Sequence, residues 1–267
     1  MSDARPSRRA LVTGASSGIG EATARLLASR GYRVALLARR LAELERVRAA
    51  LEGDGHLCLA CDLREPAQIE SAFARVADAF GGLDLLVNNA GVGYRARVEE
   101  IEPEALRSVF DTNVTALLLA CQRALPLLRR GSAPVVVNLA SVVGRRGIPG
   151  QAAYSASKAA VCSIGEALRV EWAAERIAVC TLNPALTATG FFEAQANPSS
   201  LPHPDLSRAF GAQDVARAVL ELDRRPRPER SLRWKWRLLG ALSVFAPRLA
   251  DRALARRLGG GWVAPRR

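Results

Sequence analysis

Apolar residues are distributed along this chain in two rhythms. Short, nearly continuous apolar runs at residues 10–13, 33–38, 56–61, 83–87, 134–139 and 177–182 lack in–out alternation, and so read as strands buried on both faces. Between them the apolar positions recur at helical spacing, up to residue 30 and over 41–51, 66–80, 103–130 and 151–174. Pro66 is placed to open its helix, and Gly81-Gly82 to stop it. Strands alternating with helices in this way require right-handed crossovers and a parallel sheet. The pattern therefore predicts a doubly wound α/β sheet of about seven strands with helices on both faces. Its last strand is expected at residues 231–234.

Charge divides the chain in two. The net charge is +12, but residues 224–267 hold 13 basic side chains and two acids, whereas the first 223 residues hold 25 and 24. The body is almost neutral, which argues against a nucleic-acid groove across it. We therefore divide the chain into a dinucleotide-binding and catalytic domain, 1–223, and a basic C-terminal extension, 224–267. In the extension, RRPRPER (224–230) reads as a connector. Trp236, Leu238, Leu239, Leu242 and Phe245, then Leu249, Ala250, Ala253, Leu254 and Leu258, mark two amphipathic helices flanked by arginine. Such helices suit peripheral membrane contact through residues 231–258, or packing on the body or a partner subunit. No apolar run reaches the roughly 18 residues that a span needs, and the charged N-terminus does not read as a signal peptide. A cytoplasmic location, with the tail at the inner membrane surface, is expected. Five cysteines scattered over predicted strands and helices suggest reduced thiols, and the lone Cys58-x-x-Cys61 pair reads as strand packing.

Candidate chemistry gathers where the predicted strands end. The first strand runs into Thr13-Gly14-Ala15-Ser16-Ser17-Gly18-Ile19-Gly20 and then a helix, the context in which glycines let backbone approach a pyrophosphate at a helix N-terminus. After the second strand comes Ala38-Arg39-Arg40, with no acid to hold a ribose 2′-hydroxyl; a guanidinium there, assigned to Arg39, would pair with a 2′-phosphate. Asp62 ends the third strand, Asn88-Asn89-Ala90-Gly91 follows the fourth, Ser141 the fifth and Asn183-Pro184 the sixth. In open parallel sheets ligands bind at these carboxyl ends. Tyr154 and Lys158 stand four apart on a helix, and Lys158 is one of two lysines against thirty-six arginines. On one helical face, the ammonium would favour phenolate and lower the tyrosine pKa. Asn113 is a polar amide in an apolar helical stretch and requires partners if buried.

With TGASSGIG, NNAG, Asn113, Ser141, Tyr154-x-x-x-Lys158 and Asn183-Pro184 in order, the chain resembles the short-chain dehydrogenase/reductase family over residues 8–223. The resemblance implies a Rossmann fold and an oxidoreductase using NADP(H) in preference to NAD(H). It implies Tyr154 as proton donor or acceptor, Ser141 as the group polarising the substrate oxygen, and Lys158 as tyrosine modulator and ribose ligand. Asn113 would anchor a water in the proton relay. Asp62 and Leu63 would border the adenine, Asn89, Ala90 and Gly91 would line the cofactor pocket, and Pro184, Thr187 and Thr189 would contact the nicotinamide side. The family's usual glycine after Pro184 is Ala185 here, and its glycine-rich finish is missing. By the same likeness residues 190–211, with Phe191 and Phe192, form a lid over an apolar carbonyl or alcohol substrate, with Tyr94 and Val143 on its wall, in a homodimer or homotetramer. The alternative is an NADP(H)-binding module without turnover that works through its basic tail on a membrane or protein partner; the intact Asn-Ser-Tyr-Lys set argues against it.

Overall fold

The computed structural model describes residues 7–258. Strands β1 (Arg9–Thr13), β2 (Arg33–Ala38), β3 (Leu57–Ala60), β4 (Leu85–Asn88), β5 (Val135–Leu139) and β6 (Ala178–Asn183) alternate with helices α1 (Gly18–Ala28), α2 (Leu41–Ala49), α3 (Pro66–Phe80), α4 (Pro103–Phe110), α5 (Ala116–Leu128) and α6 (Ala152–Glu171). After β6 come β7 (Thr187–Ala188), α7 (Phe191–Ala194), β8 (Phe210–Gly211), α8 (Ala212–Arg224), β9 (Glu229–Ser231), α9 (Trp234–Phe245) and α10 (Pro247–Leu258). Seven strands form one sheet in the order β3-β2-β1-β4-β5-β6-β9. All of its pairings are parallel. The order reverses direction at β1, so the crevice between the ends of β1 and β4 is the topological switch point.

The absence of alternation in the apolar runs is explained by two cores. Leu11, Ala35 and Leu37 point to one face, packed with Phe73, Val76, Ala120, Ala124 and Val161 of α3, α5 and α6. Their neighbours Ala10, Val12, Val34 and Leu36 point to the other, packed with Leu27, Leu44, Val215 and Val219 of α1, α2 and α8. Consecutive strand residues face opposite sides, so a sheet covered twice has no polar positions to offer.

Three features differ from expectation. The helix expected over 103–130 contains a π-helical segment, Asp111–Thr115, centred on Asn113. The last strand is Glu229–Ser231, paired with Thr181–Asn183, and not 231–234; α9 has already begun at Trp234. That strand belongs to the main sheet yet lies beyond the boundary drawn at residue 223, so the body of the fold reaches at least Ser231. Among the described residues no helix is long and apolar enough to cross a membrane.

Candidate active site

The loop after β1 is held open by the loop after β4. The Thr13 hydroxyl accepts hydrogen bonds from the backbone N–H of Asn89 (2.9 Å) and Ala90 (3.0 Å), and Asn89 Nδ2 donates to the carbonyl of Thr13 at 2.8 Å. Gly14 has φ +66°, and a Cβ on it would lie 2.9 Å from Ala90 Cα. A Cβ on Gly20 would lie 2.2 Å from the Gly14 carbonyl oxygen. Only glycine permits this approach, and it leaves a cradle of bare backbone at the start of α1. No side chain caps α1, so its first N–H groups remain available to an anion. Gly18 faces the Thr189 side chain at 3.5 Å, measured from its would-be Cβ, which brings the β6–α7 segment to the same cradle. The loop of residues 14–20, Asn89, Ala90 and Thr189 thus lie around one cradle.

The rim beyond β2 is basic. Arg40 Nη2 donates to Ser16 Oγ at 3.4 Å, and Arg46 Nη2 donates to the Ser16 carbonyl at 3.3 Å. Arg39, the residue singled out by sequence, is exposed; its charge helps to lower the carboxyl of Asp62. That carboxyl is held down to about 2, mainly by its bond with the Arg64 side chain. Arg40 and Arg46 were not singled out by sequence, although Arg40 occupies the N-cap position of α2, from which a long side chain can fold back over the glycine loop. Leu63 is buried in the adjoining core.

The candidate reacting groups meet at the ends of β4, β5 and β6. Ser141 is fixed by its neighbours: the Val142 N–H donates to the Pro184 carbonyl at 3.1 Å, and the Ala140 N–H to that of Leu182 at 2.9 Å. The same loop is pressed onto α6 at Gly144, where a Cβ would lie 2.6 Å from the carbonyl oxygen of Lys158. Along α6, Tyr154 and Lys158 share a face, with Nζ 5.9 Å from the ring centroid. The ammonium also donates to the Leu139 carbonyl at 2.9 Å. Asn113 closes the group: its Oδ1 accepts from the Val92 N–H (2.8 Å), and its Nδ2 donates to the Val92 carbonyl (3.0 Å) and to Ser157 Oγ (3.0 Å). Gly91 fits between Asn113 and Lys158, its would-be Cβ 3.1 Å from Asn113 Oδ1 and 3.4 Å from Lys158 Nζ. Single π-turns often mark functional sites, and this one delivers Asn113.

Electrostatics here differ from the expected lowering of the tyrosine pKa. Burial pushes the Tyr154 phenol above its ordinary value, and the hydrogen bond with Ser141 draws it only partly back. Burial also pulls the Lys158 ammonium down to about 8, slightly opposed by Cys162. Desolvation is the largest cause for both groups.

The segment after β6 reaches back over this group. Phe191 stands 5.7 Å from Tyr154 between ring centroids and meets Phe192 edge-on at 5.5 Å. The Thr187 hydroxyl donates to the Ala185 carbonyl at 2.9 Å, which shapes the loop at the position where the family has glycine. Tyr94 does not form an open wall: it is 4% exposed, packed among Ala96, Val109 and Ala153. Val143 lines a cavity of about 710 Å³ with Ser155, Ala156, Ala159 and Leu254. Ser141, Tyr154 and Lys158 are not among the residues that line this cavity. A support missed by sequence reading is Glu229, which accepts from Asn183 Nδ2 at 2.7 Å and pairs with Arg145 at 2.5 Å.

This fold and cradle define the class of Rossmann-fold, nucleotide-binding proteins. The sequence matches the short chain dehydrogenase family over residues 8–199, and the chain belongs to that family. An uncharacterised oxidoreductase of Mycobacterium tuberculosis is 34% identical over 251 residues, covering 92% of this chain and 96% of the relative. Carbonyl reductase family member 4 of Danio rerio is 36% identical over 217 residues, covering 81% and 91%. Among solved structures, 3-ketoacyl-(acyl-carrier-protein) reductase from Brucella melitensis complexed with NADH is similar with a TM-score of 0.76 at 31% identity, covering 84% of this chain and 96% of that one.

Proposed function

We propose that this protein is an NADPH-dependent carbonyl reductase acting on an apolar ketone or aldehyde, and the reverse alcohol oxidation is the same reaction run backwards. The observation that carries the reading is the placement of Tyr154, Ser141 and Lys158 beside a glycine cradle with a basic rim. The cradle fits a dinucleotide: its glycines are pressed against backbone where a Cβ would clash, and the N-terminus of α1 is uncapped. Gly14, Ser16, Ser17, Gly18, Ile19, Gly20 and Thr189 would hold the pyrophosphate. Asp62 and Leu63 would border the adenine, and Asn89, Ala90, Gly91, Pro184, Thr187 and Lys158 the nicotinamide end. When bound, the dinucleotide supplies the hydride.

The chain's residues handle the charge that such a transfer leaves on oxygen. Tyr154 holds a proton at its phenol through the neutral range, because burial raises its pKa, and donates it to the substrate oxygen. Ser141 donates a hydrogen bond to the same oxygen and polarises it. Lys158, charged below about pH 8, stabilises charge that develops beside the ring. Asn113 holds the 91–92 loop over Lys158 and would anchor a water leading protons to it. Phe191 and Phe192 give the substrate an apolar face and exclude water. The reductases among the relatives, including the 3-oxoacyl-[acyl-carrier-protein] reductase of Bos taurus at 34% identity over 211 residues, support a carbonyl substrate.

Two features support NADPH over NADH: no acid stands at the end of β2, and Arg39 and Arg40 are exposed there. Absorbance at 340 nm over a carbonyl panel tests both halves of the proposal. Wild type should consume NADPH faster than NADH. The Arg39→Ala/Arg40→Ala variant should raise the KM for NADPH about tenfold, the loss of charge-assisted bonds to one phosphate, while leaving NADH unchanged. Equal use of both cofactors by wild type would refute the assigned preference.

A further inference from the structure

Five of the ten large hydrophobic side chains that are exposed among the described residues fall within sixteen residues: Trp234 (64%), Leu238 (59%), Val244 (76%), Phe245 (87%) and Leu249 (55%). The other five are scattered over four α-helices and one 3-10 turn, as single exposed apolar residues commonly are. On α9 the spacing is helical. Trp234, Leu238, the exposed Ala241 and Phe245 stand at i, i+4, i+7 and i+11, one line along a single face. The opposite side of the hairpin is seated. Gly240 is buried against Arg145, its would-be Cβ 3.2 Å from that carbonyl oxygen, and Ala250 and Leu254 are buried. Asp251 is ion-paired with Arg146. The hairpin is therefore fixed to the body, and its outward face is apolar by sequence.

Charge identifies what would cover that face. Residues 232–258 contain seven basic side chains and one acid, Asp251, which the Arg146 pair already engages. Lys235, Arg237, Arg248, Arg252 and Arg256 are exposed along the apolar line. We propose that the α9–α10 hairpin docks the protein on an anionic lipid bilayer, with Trp234, Leu238 and Phe245 in the acyl boundary and the basic side chains on the headgroups. An apolar stripe with a Trp and flanking cations suits an interface in which one side is hydrocarbon and the other carries negative charge. A second copy fits less well, since a twofold contact would set this cationic face against itself. A nucleic acid would pair with the arginines but leave Val244 and Phe245 without an apolar partner. The twelve residues of α9 extend about 18 Å, enough to lie in the interface and too short to span it. Trp234 follows β9 by three residues at the carboxyl end of the sheet, so a docked bilayer lies next to the rim of the catalytic cleft.

The test is co-sedimentation of the full-length protein with vesicles of phosphatidylcholine, with and without phosphatidylglycerol, at low and high salt. Wild type should pellet with the anionic vesicles only, and high salt should release it. Lys235→Gln and Arg237→Gln should each weaken partitioning about fivefold. Phe245→Asp should weaken it tenfold or more, with an unchanged thermal melt showing that the fold is intact. If wild type stays in the supernatant with anionic vesicles at low salt, or if Phe245→Asp pellets as wild type does, the proposal is overturned. Light scattering adds a further arm: a wild-type dimer that ignores vesicles and becomes a monomer on Phe245→Asp would assign the face to a second copy and likewise overturn it.

Discussion

Lys158 is buried, and removal from water costs its ammonium more than its surroundings return, so its pKa falls to about 8. Tyr154 moves in the opposite direction for the same reason, its phenol kept protonated by burial. The lysine, and not the tyrosine, should therefore set the pH limit of carbonyl reduction. We expect kcat/KM to fall as pH rises through about 8, and a plateau continuing to pH 10 would contradict this. Stability carries the complementary signature. The unfolded lysine titrates near 10.4, so between pH 8 and 10.4 the unfolded chain binds the extra proton and stability attributable to this group rises with pH. Below pH 8 the charged, buried lysine costs its full penalty. Comparing thermal melts of wild type and Lys158→Met from pH 7 to 10 isolates this component, which the variant should lack. Tyr154 and Lys158 were legible as candidates because a rare lysine spaced four from a rare tyrosine stood together with the other polar motifs at the strand ends. The direction of the pKa shift was not legible, since it depends on burial, which spacing alone does not encode.

At the scale of elements, close approaches position the site. The loop carrying Ser141 rests on α6 at Gly144, where any Cβ would meet the backbone of Lys158. Gly144→Ala should push that loop away from Tyr154, cost about 1–3 kcal/mol by overpacking, and lower kcat more than it raises KM. Gly147→Ala, with nothing within 4 Å of its would-be Cβ, is the control and should leave both unchanged. Steady-state kinetics with chemical denaturation measures the pair. The polar loops at the strand ends were readable because each apolar run gives way to polar residues or glycine: Thr13-Gly14, Arg39, Asp62, Asn88-Asn89, Ser141 and Asn183. The π-turn at Asn113 was hidden by apolar residues that keep helical spacing on both sides of it. Strand β9 was misplaced because Glu229-Arg230-Ser231 contains no apolar residue; Glu229 is held instead by Asn183 and Arg145. Tyr94 followed the NNAG loop in sequence but turned inward to the small core under α4.

Across the whole molecule, a buried ion pair ties the first strand to the connection between α3 and β4, and the same carboxylate holds the connection between α5 and β5. Asp84 is 2% exposed and accepts from Arg9 Nε (2.9 Å), Arg9 Nη2 (3.0 Å), the Arg9 N–H (2.8 Å) and the Ser132 N–H (2.6 Å). Burial pushes its carboxyl up, but the Arg9 side chain and the two backbone donors more than offset this and leave it below its usual range. A carboxylate with a lowered folded pKa stabilises above its unfolded value near 3.9, and that stability is lost as pH falls through the folded value. Asp84→Ala should cost about 3–5 kcal/mol, because it strands Arg9 as well as removing the pair, and should flatten the acid limb of the melting curve. Urea unfolding at a series of pH values from 7 down to 2 measures both. All of this architecture holds one phenol, one hydroxyl and one ammonium beside the glycine cradle. The most direct measurement of that claim is NADPH oxidation by wild type and Tyr154→Phe on the same ketone, with NADPH affinity measured for both by fluorescence titration. We predict that the variant binds NADPH as wild type does and loses turnover by 100- to 10,000-fold, about the share that a positioned proton donor supplies. Turnover by the variant within a few fold of wild type would contradict the account.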